Sequence, residues 1–291
     1  MPFRGFRQCF MSPSPSLRNP HGPAMLGATH RSVALFRHIV EMLSSILLSA
    51  AALALGASAQ DSSSYDGYEY GNMFYLGPTT GGQYITKATY SLVPPSPPTD
   101  YVTSKADTTW LSLWIGIQGD PTNANVLDMD FVQPLLNWAP NQESQGCSAD
   151  ANHWCVAAST YTPQGQNGQD YVAIPSDATL DFEVCVNSET NKIDQKVWIN
   201  GELKSQQSDA QGMKPSVFYS GNECYDYGCG TLASYSWSNI TLHMNEADAK
   251  YDSTLTLTNA TSSGMTTSDG GKTWHIESIK IDEDQLTTQE P

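Results

Sequence analysis

Two short stretches of this chain place pairs of carboxylates at a spacing that suits acid–base chemistry. Asp128 and Asp130 are separated by one residue, and so are Asp181 and Glu183. On a β-strand such residues share a face at about 6–7 Å, the order of separation between the two carboxyl groups of a glycosidase. Either pair could therefore act in glycoside hydrolysis, or could lie on a solvated strand face without a function.

Aromatic side chains offer a second kind of chemistry, the stacking of sugar rings. The chain contains seven Trp, and exposed aromatic surface usually marks a binding site. Such rings bind a polysaccharide without any catalysis. The candidates are Trp110, Trp114, Trp138, Trp154, Trp198, Tyr235 and Trp237.

No metal site and no cofactor are predicted. The cysteines lack zinc-ligand spacing, and the histidines after residue 60 lie far apart in sequence. Calcium is the alternative at one stretch rich in oxygen ligands, which holds Asp120, Asn123, Asn125 and Asp128. That stretch lacks the glycine and terminal glutamate of an EF-hand loop, and turns rich in Asn and Asp are common without a metal.

The elements that must position these side chains are predicted to be β-strands. Short runs of β-branched and aromatic residues alternate with Gly, Pro, Asn and Asp, and no long helical stripe appears. So many strands with no linker between them favour one all-β sandwich or jelly roll. The predicted strands are 84–92, 109–117, 126–132, 155–161, 180–186, 196–199, 234–244, 254–258 and 274–281.

Alternation within the strands predicts which side chains share a face. In 109–117, the aliphatic residues 111, 113, 115 and 117 point one way, and Trp110 and Trp114 point the other way. In 234–244, strict alternation places Tyr235 and Trp237 opposite Ile240. We therefore expect a concave face lined by aromatic rings, amides and acids.

Charge excludes several classes of function. The chain has 14 Lys and Arg against 30 Asp and Glu, a formal net charge of -16. No arginine follows residue 59. This composition excludes a disordered tail, a coiled coil and a nucleic-acid binder, and it disfavours anionic lipids and polyanions as partners.

The N-terminal residues are predicted to be a targeting segment. Residues 42–59 form a short apolar run that ends in Ala-Ser-Ala, as a signal peptide does, so cleavage is expected before Gln60. Residues 1–41 read as a leader or a mis-assigned start. The mature protein would then be secreted, with a Ser/Tyr/Gly-rich segment at 60–79, a sandwich domain at 80–291, and no membrane attachment.

In a secreted protein, cysteines can form disulfides and Asn-x-Thr sequons can be glycosylated. Cys147 with Cys155 and Cys224 with Cys229 have the spacing of local disulfides, which leaves Cys185 as a buried thiol. Two Asn-x-Thr triplets, at Asn239 and Asn259, are candidate glycosylation sites.

Three stretches in order resemble a known family. Residues 85–98 (ITKATYSLVPPSPP), 113–120 (LWIGIQGD) and 127–138 (LDMDFVQPLLNW) resemble the glutamic peptidases (eqolisins), secreted fungal acid peptidases with a concanavalin A-like jelly-roll sandwich. The likeness spans roughly residues 80–245, and its more specific part is the Trp-Ile-Gly-Ile segment. The same stretches also resemble secreted concanavalin A-like lectin and glucanase proteins.

The resemblance implies a catalytic site and also a departure from it. It assigns Gln133 as the catalytic glutamine and Trp114 as a tryptophan of the substrate groove. Ser236 stands where the family has its catalytic glutamate, and the nearest glutamate before it is Glu223, within the segment between Asn222 and Cys229. An amide stabilises an oxyanion but cannot take a proton from water, so Gln133 needs a carboxylate such as Glu223, Asp128 or Asp130 as its base.

Two functions remain open at this point. The first is an acid hydrolase of the glutamic-peptidase type that uses Gln133 and Glu223 on an extracellular polypeptide. The second is a lectin-like or glucanase-like module that binds or cleaves a cell-wall polysaccharide through an aromatic concave face. In both cases we expect a monomer whose substrate contacts come from Trp110, Trp114, Asp128, Asp130, Tyr235 and Trp237.

Overall fold

The computed structural model describes residues 67–125 and 128–287. The predictions for the leader, for the signal peptide and for residues 60–66 lie outside the described residues. The described chain is all-β, with two packed antiparallel sheets and a small third one. The predicted fold class, an all-β jelly-roll sandwich, is confirmed.

The larger sheet runs in the order β16-β1-β13-β3-β4-β7-β8, and β5, β6 and β9 join it beside β3. Its strands are β1 Tyr68–Leu76, β3 Trp110–Gln118, β4 Phe131–Val132, β5 Leu135–Trp138, β6 Cys155–Ala157, β7 Ser159–Thr162, β8 Gly165–Gly168, β9 Val172–Ala173, β13 Val217–Tyr225 and β16 Thr256–Thr258.

The smaller sheet runs in the order β12-β11-β10-β2-β15-β19-β17, with β18 paired to β19. Its strands are β2 Ile85–Leu92, β10 Leu180–Asn187, β11 Lys192–Ile199, β12 Glu202–Asp209, β15 Tyr235–Met244, β17 Ala260–Ser262, β18 Met265–Thr266 and β19 Thr273–Ile281. The third sheet pairs β14 Gly230–Leu232 with β20 Asp284–Leu286. Single 3-10 turns lie at Thr103–Lys105, Pro121–Asn123, Gln142–Gln145 and Tyr251–Thr254. Within the described ranges, no helix is long and apolar enough to cross a membrane.

The core lies between the two large sheets, and β3 shows how the sequence builds it. Leu111, Leu113 and Ile115 are buried in the core, whereas Trp110 and Trp114 on the same strand are only half-buried. A strand of period two that is apolar on one side must turn that side to the core, as predicted.

The predicted faces of β15 are wrong because the strand contains a bulge. Its register with β2 shifts between Ser238 and Thr241, and Asn239 has a φ of 52°. A bulge adds one residue and reverses the phase of alternation beyond it. Tyr235 and Trp237 therefore face the core, the same side as Ile240.

The two predicted disulfides are present, and the prediction for the fifth cysteine is wrong. Cys147 is bonded to Cys155, and Cys224 to Cys229. Cys185, predicted to be a thiol, is also disulfide-bonded. Sequence spacing detects only local bridges, so it had no means of finding this one.

Candidate functional site

The outer face of the larger sheet carries most of the partly exposed aromatic rings of the described chain. Residues that are opposite one another in the strand pairing share a face, so the register identifies this surface. We call it the aromatic face. Its members are Tyr68, Tyr70 and Tyr75 of β1, Tyr219, Glu223 and Tyr225 of β13, Trp110 and Trp114 of β3, Phe131 of β4 and Tyr161 of β7.

At one end of the aromatic face, four rings form a continuous group. Trp110 stacks on Tyr225 with ring centroids 5.4 Å apart, and Tyr225 lies 4.9 Å from Tyr68. Tyr68 in turn stacks against Tyr70 at 6.1 Å. Trp110, Tyr225 and Tyr70 are half-buried, so this group presents ring surface to solvent.

At the other end, Trp114 meets a second group of rings. It makes edge contacts with Phe131 at 5.7 Å and with Tyr219 at 5.5 Å. Phe131 and Tyr219 stack on each other at 4.4 Å. Tyr219 also fixes Gln118, because its hydroxyl donates to the Gln118 Oε1 at 3.1 Å. These contacts hold the Trp114 ring in one orientation.

Glu223 lies between the two ring groups. It is opposite Tyr70 in β1 and opposite Ser112 in β3, and only 8% of its surface is exposed. Burial raises the pKa of the Glu223 carboxyl from 4.5 to about 7. The Trp114 indole N–H nearby opposes that rise, although its geometry falls short of an ordinary hydrogen bond. Glu223 is therefore a neutral acid in mildly acidic medium.

Gln133 lies on the same face but apart from Glu223. Gln133 packs over Gly116 of β3, whereas Glu223 is opposite Ser112. These two positions on β3 are four residues apart. Strand spacing then sets the two Cα atoms about 16 Å apart, with Trp114 between them. The Gln133 amide instead donates to the Gln166 Oε1 at 3.4 Å. The structure does not bring these two predicted residues into contact.

The paired carboxylates of the sequence are not members of the aromatic face, although Asp128 lies near its edge, where burial and then the charge of Asp128 raise the pKa of Tyr161. Asp128 is exposed, and the pKa of Asp130 is raised by burial and then by Asp209. On the outer face of the smaller sheet, Asp181 accepts from the Ser91 hydroxyl at 2.6 Å, and Glu183 pairs with two lysines. The Asp181 and Glu183 carboxylates are thus engaged in local contacts.

Tyr235 and Trp237 do not line a groove, which corrects their predicted role in substrate binding. Trp237 is fully buried and donates from its indole to the Ser220 hydroxyl at 2.9 Å. Tyr235 donates to the Asn222 Oδ1 at 2.7 Å. Both bonds join the two sheets inside the core.

Two further tryptophans that were candidate platforms are also internal. Trp138 is fully buried and donates to the Ala151 carbonyl at 2.8 Å. Trp154 donates to the Pro95 carbonyl at 2.9 Å. Trp198 is half-buried on the outer face of the smaller sheet, opposite Asp181.

The tyrosines of the aromatic face were missed by sequence reasoning. Tyr68 and Tyr70 occupy alternate positions at the start of β1. Such alternation is typical of a strand, but β1 was not among the predicted strands. Tyr219 and Tyr225 lie on β13, which was not predicted either. Tyr171, just before β9, is half-buried, and its pKa is raised by burial and then by the charge of Glu223.

Comparison with known proteins assigns no family and no function to the chain. No family model matches the chain, and no curated protein matches it. The resemblance to glutamic peptidases therefore receives no support. Among solved structures, a Bacillus licheniformis beta-glucanase is similar at 9% identity and a TM-score of 0.30, over 68% of this chain and 66% of that one.

Two other solved structures are similar at the same level. The Caenorhabditis elegans galectin LEC-6 matches at 13% identity and a TM-score of 0.26, over 52% of this chain and 94% of that one. The PL7 alginate lyase AlyA1 from Zobellia galactanivorans matches at 9% identity and a TM-score of 0.30, over 70% and 86%.

Proposed function

We propose that this protein is a secreted, polysaccharide-binding β-sandwich whose aromatic face holds a glycan chain. The observation that carries the proposal is the group of half-buried rings formed by Trp110, Tyr225 and Tyr70 on one sheet face. Aromatic rings stack on the apolar faces of sugar rings, while their polar atoms and nearby amides bond hydroxyl groups.

The charge of the chain and its disulfides support the same proposal. A net charge of -16 disfavours anionic partners, so an uncharged polymer is the better ligand. The Cys147–Cys155 and Cys224–Cys229 bridges suit an oxidising, extracellular compartment, as the predicted signal peptide does.

Retention on insoluble cell-wall polysaccharides tests the binding function. Trp110→Ala removes a ring of the exposed group and should weaken retention by about 1–3 kcal/mol, the burial energy of one large side chain. Trp198→Ala is the matched control, because Trp198 is a half-buried tryptophan on the opposite sheet. Retention that is equal in the wild type and in Trp110→Ala would contradict the proposal.

A second candidate is an acid hydrolase in which Glu223 is the proton donor. The raised pKa of its buried carboxyl, about 7, favours this candidate, since a general acid must be protonated at its working pH. Gln133 would be its oxyanion donor only if the substrate extended past Trp114 to reach both side chains. Hydrolysis of denatured protein or of wall glycan at about pH 4 that disappears in Glu223→Gln supports this reading, and a wild type inert toward both contradicts it.

A further inference from the structure

Two tyrosine hydroxyls beside Glu223 are buried without any hydrogen-bond partner among the described residues. These are the hydroxyls of Tyr68, which is 2% exposed, and of Tyr70. A buried hydroxyl with no partner costs about 1–3 kcal/mol, so native proteins rarely keep two together without a use for them.

Both hydroxyls lie close to the Glu223 carboxyl. Tyr70 is directly opposite Glu223 in the pairing of β1 with β13, and Tyr68 is its diagonal neighbour, opposite Tyr225. Burial is the main cause that raises the pKa of each of these tyrosines, and the negative charge of Glu223 is the second cause. The three polar groups therefore form one cluster.

The cluster lies directly beneath the aromatic face. Its hydroxyl oxygens expose almost no surface, and the half-buried rings of Tyr70, Tyr171 and Trp114 separate it from solvent, so a ligand reaches it by displacing one of these rings. The groups that face the carboxyl from the surrounding elements are Tyr68 and Tyr70 of β1, Tyr225 of β13, Trp114 of β3 and Tyr171 before β9. All of these groups are uncharged at neutral pH.

We infer that Glu223, Tyr68 and Tyr70 form a subsite for the hydroxyl groups of an uncharged sugar residue, so that the aromatic face selects neutral over acidic polysaccharides. This inference rests on the proposed binding function and deepens it. The two phenols supply donors to sugar oxygens, and the neutral carboxyl supplies both a donor and an acceptor.

Acidic sugars are excluded for two reasons. A carboxylate ligand would enter a poorly hydrated site that offers it no cation among the groups around Glu223, and burying an unpaired charge is costly. Once Glu223 ionises, its own charge would repel a sugar carboxylate directly, within a chain that is already strongly negative.

Titration calorimetry with soluble oligosaccharides tests the subsite. The probes are neutral cellohexaose, laminarihexaose, xylohexaose and mannohexaose, with hexagalacturonate as the acidic comparison, at pH 5 and at pH 8. We expect a neutral hexamer to bind and hexagalacturonate not to bind, and the binding to weaken at pH 8, where Glu223 is ionised.

Three variants assign the effect to the cluster. Tyr70→Phe and Tyr68→Phe each remove one hydroxyl and leave the ring, so each should weaken neutral binding about three- to tenfold while thermal stability stays equal or rises. Glu223→Gln should bind as well as the wild type at pH 5 and lose the weakening at pH 8. Tyr84→Phe is the control, because it removes the hydroxyl of a half-buried tyrosine that lies just before β2 of the smaller sheet, outside the aromatic face.

The outcomes separate this inference from the function on which it rests. If the wild type binds a neutral hexamer and the Tyr68 and Tyr70 variants bind it equally well, the subsite is refuted and the binding function stands. Equal affinity for hexagalacturonate refutes the selectivity. A folded wild type that binds no oligosaccharide and no insoluble wall glycan overturns the function, and the subsite with it.

Discussion

Gly221 is opposite Trp114 in the pairing of β13 with β3, and the absence of a side chain at 221 makes the space for the indole. A Cβ atom at position 221 would lie 2.7 Å from the Trp114 ring. The indole therefore lies flat across β13 and reaches toward Glu223, which is two residues further along that strand. A glycine in the middle of a strand thus shapes the candidate site.

Gly221→Ala is expected to displace Trp114 and to destabilise the protein. Overpacking of this kind costs about 1–3 kcal/mol, and the ring has little room because Phe131 and Tyr219 hold it. Denaturant unfolding followed by tryptophan fluorescence measures both effects. Gly119→Ala is the control, since a Cβ there meets its nearest atom, the Met129 sulfur, at 3.7 Å. Equal losses in the two variants would contradict the role given to Gly221.

Glu223 should make the protein less stable as the pH rises from about 4.5 to about 7. In the unfolded chain this carboxyl ionises near 4.5, and in the folded protein its pKa is about 7. Between these values the folded state holds the additional proton. The free energy of unfolding should therefore fall with rising pH, by on the order of 3 kcal/mol over that interval.

Urea unfolding of the wild type and of Glu223→Gln across pH 4 to 8 measures this contribution. The glutamine has no proton to lose, so the difference in stability between the two proteins should be constant below pH 4.5 and should then shift in favour of the glutamine up to about pH 7. Parallel curves for the two proteins would show that the carboxyl is not buried as described.

The sequence predicted the sandwich well and the site only in part. The alternation of β3 correctly placed Trp110 and Trp114 outside the core, because that strand has no irregularity. Strand β13 escaped prediction because its centre, Ser220 to Glu223, is built of residues with low strand propensity. Tyr68 and Tyr70 escaped because β1 was not recognised as a strand at all.

The error at Trp237 has a different origin. Periodicity assigns faces only while every residue advances the strand by one step, and the bulge at Asn239 breaks that condition. Nothing in the local composition marks a bulge unless the residue is a glycine. Likewise, Glu223 was selected because it is the glutamate that precedes Ser236, whereas its burial depends on β1 and β3, which are distant in sequence.

The sequon at Asn239 is expected to carry a glycan that does not affect the aromatic face. Asn239 is exposed on β15 of the smaller sheet, the layer opposite to the aromatic face. Thr241→Ala removes the sequon and leaves the strained backbone at Asn239 unchanged. Intact-mass measurement should show the loss of one glycan, with retention on polysaccharide unaltered, and a changed retention would place the glycan near the binding surface.

The sequon at Asn259 has a different environment. Its side-chain amide donates to the Asn72 Oδ1 at 2.8 Å. Glycosylation at Asn259 leaves one amide hydrogen for that bond. Thr261→Ala in the same mass experiment tests whether this second site is occupied.

Trp237→Ala is expected to damage stability and to leave the binding surface intact. Its ring packs edge-on against Tyr90 at 5.7 Å and Phe182 at 5.9 Å, in addition to its bond with Ser220. Removing a fully buried tryptophan should cost about 3–5 kcal/mol. Trp198→Ala, on the outer face of the smaller sheet, should cost much less.

Denaturant unfolding separates the two variants, and retention on polysaccharide is then measured at low temperature, where both remain folded. Because Trp237 lies between the sheets, its variant should bind as the wild type does. If Trp237→Ala is as stable as Trp198→Ala but loses binding, then Trp237 lines the ligand site and the inward placement caused by the bulge at Asn239 is wrong.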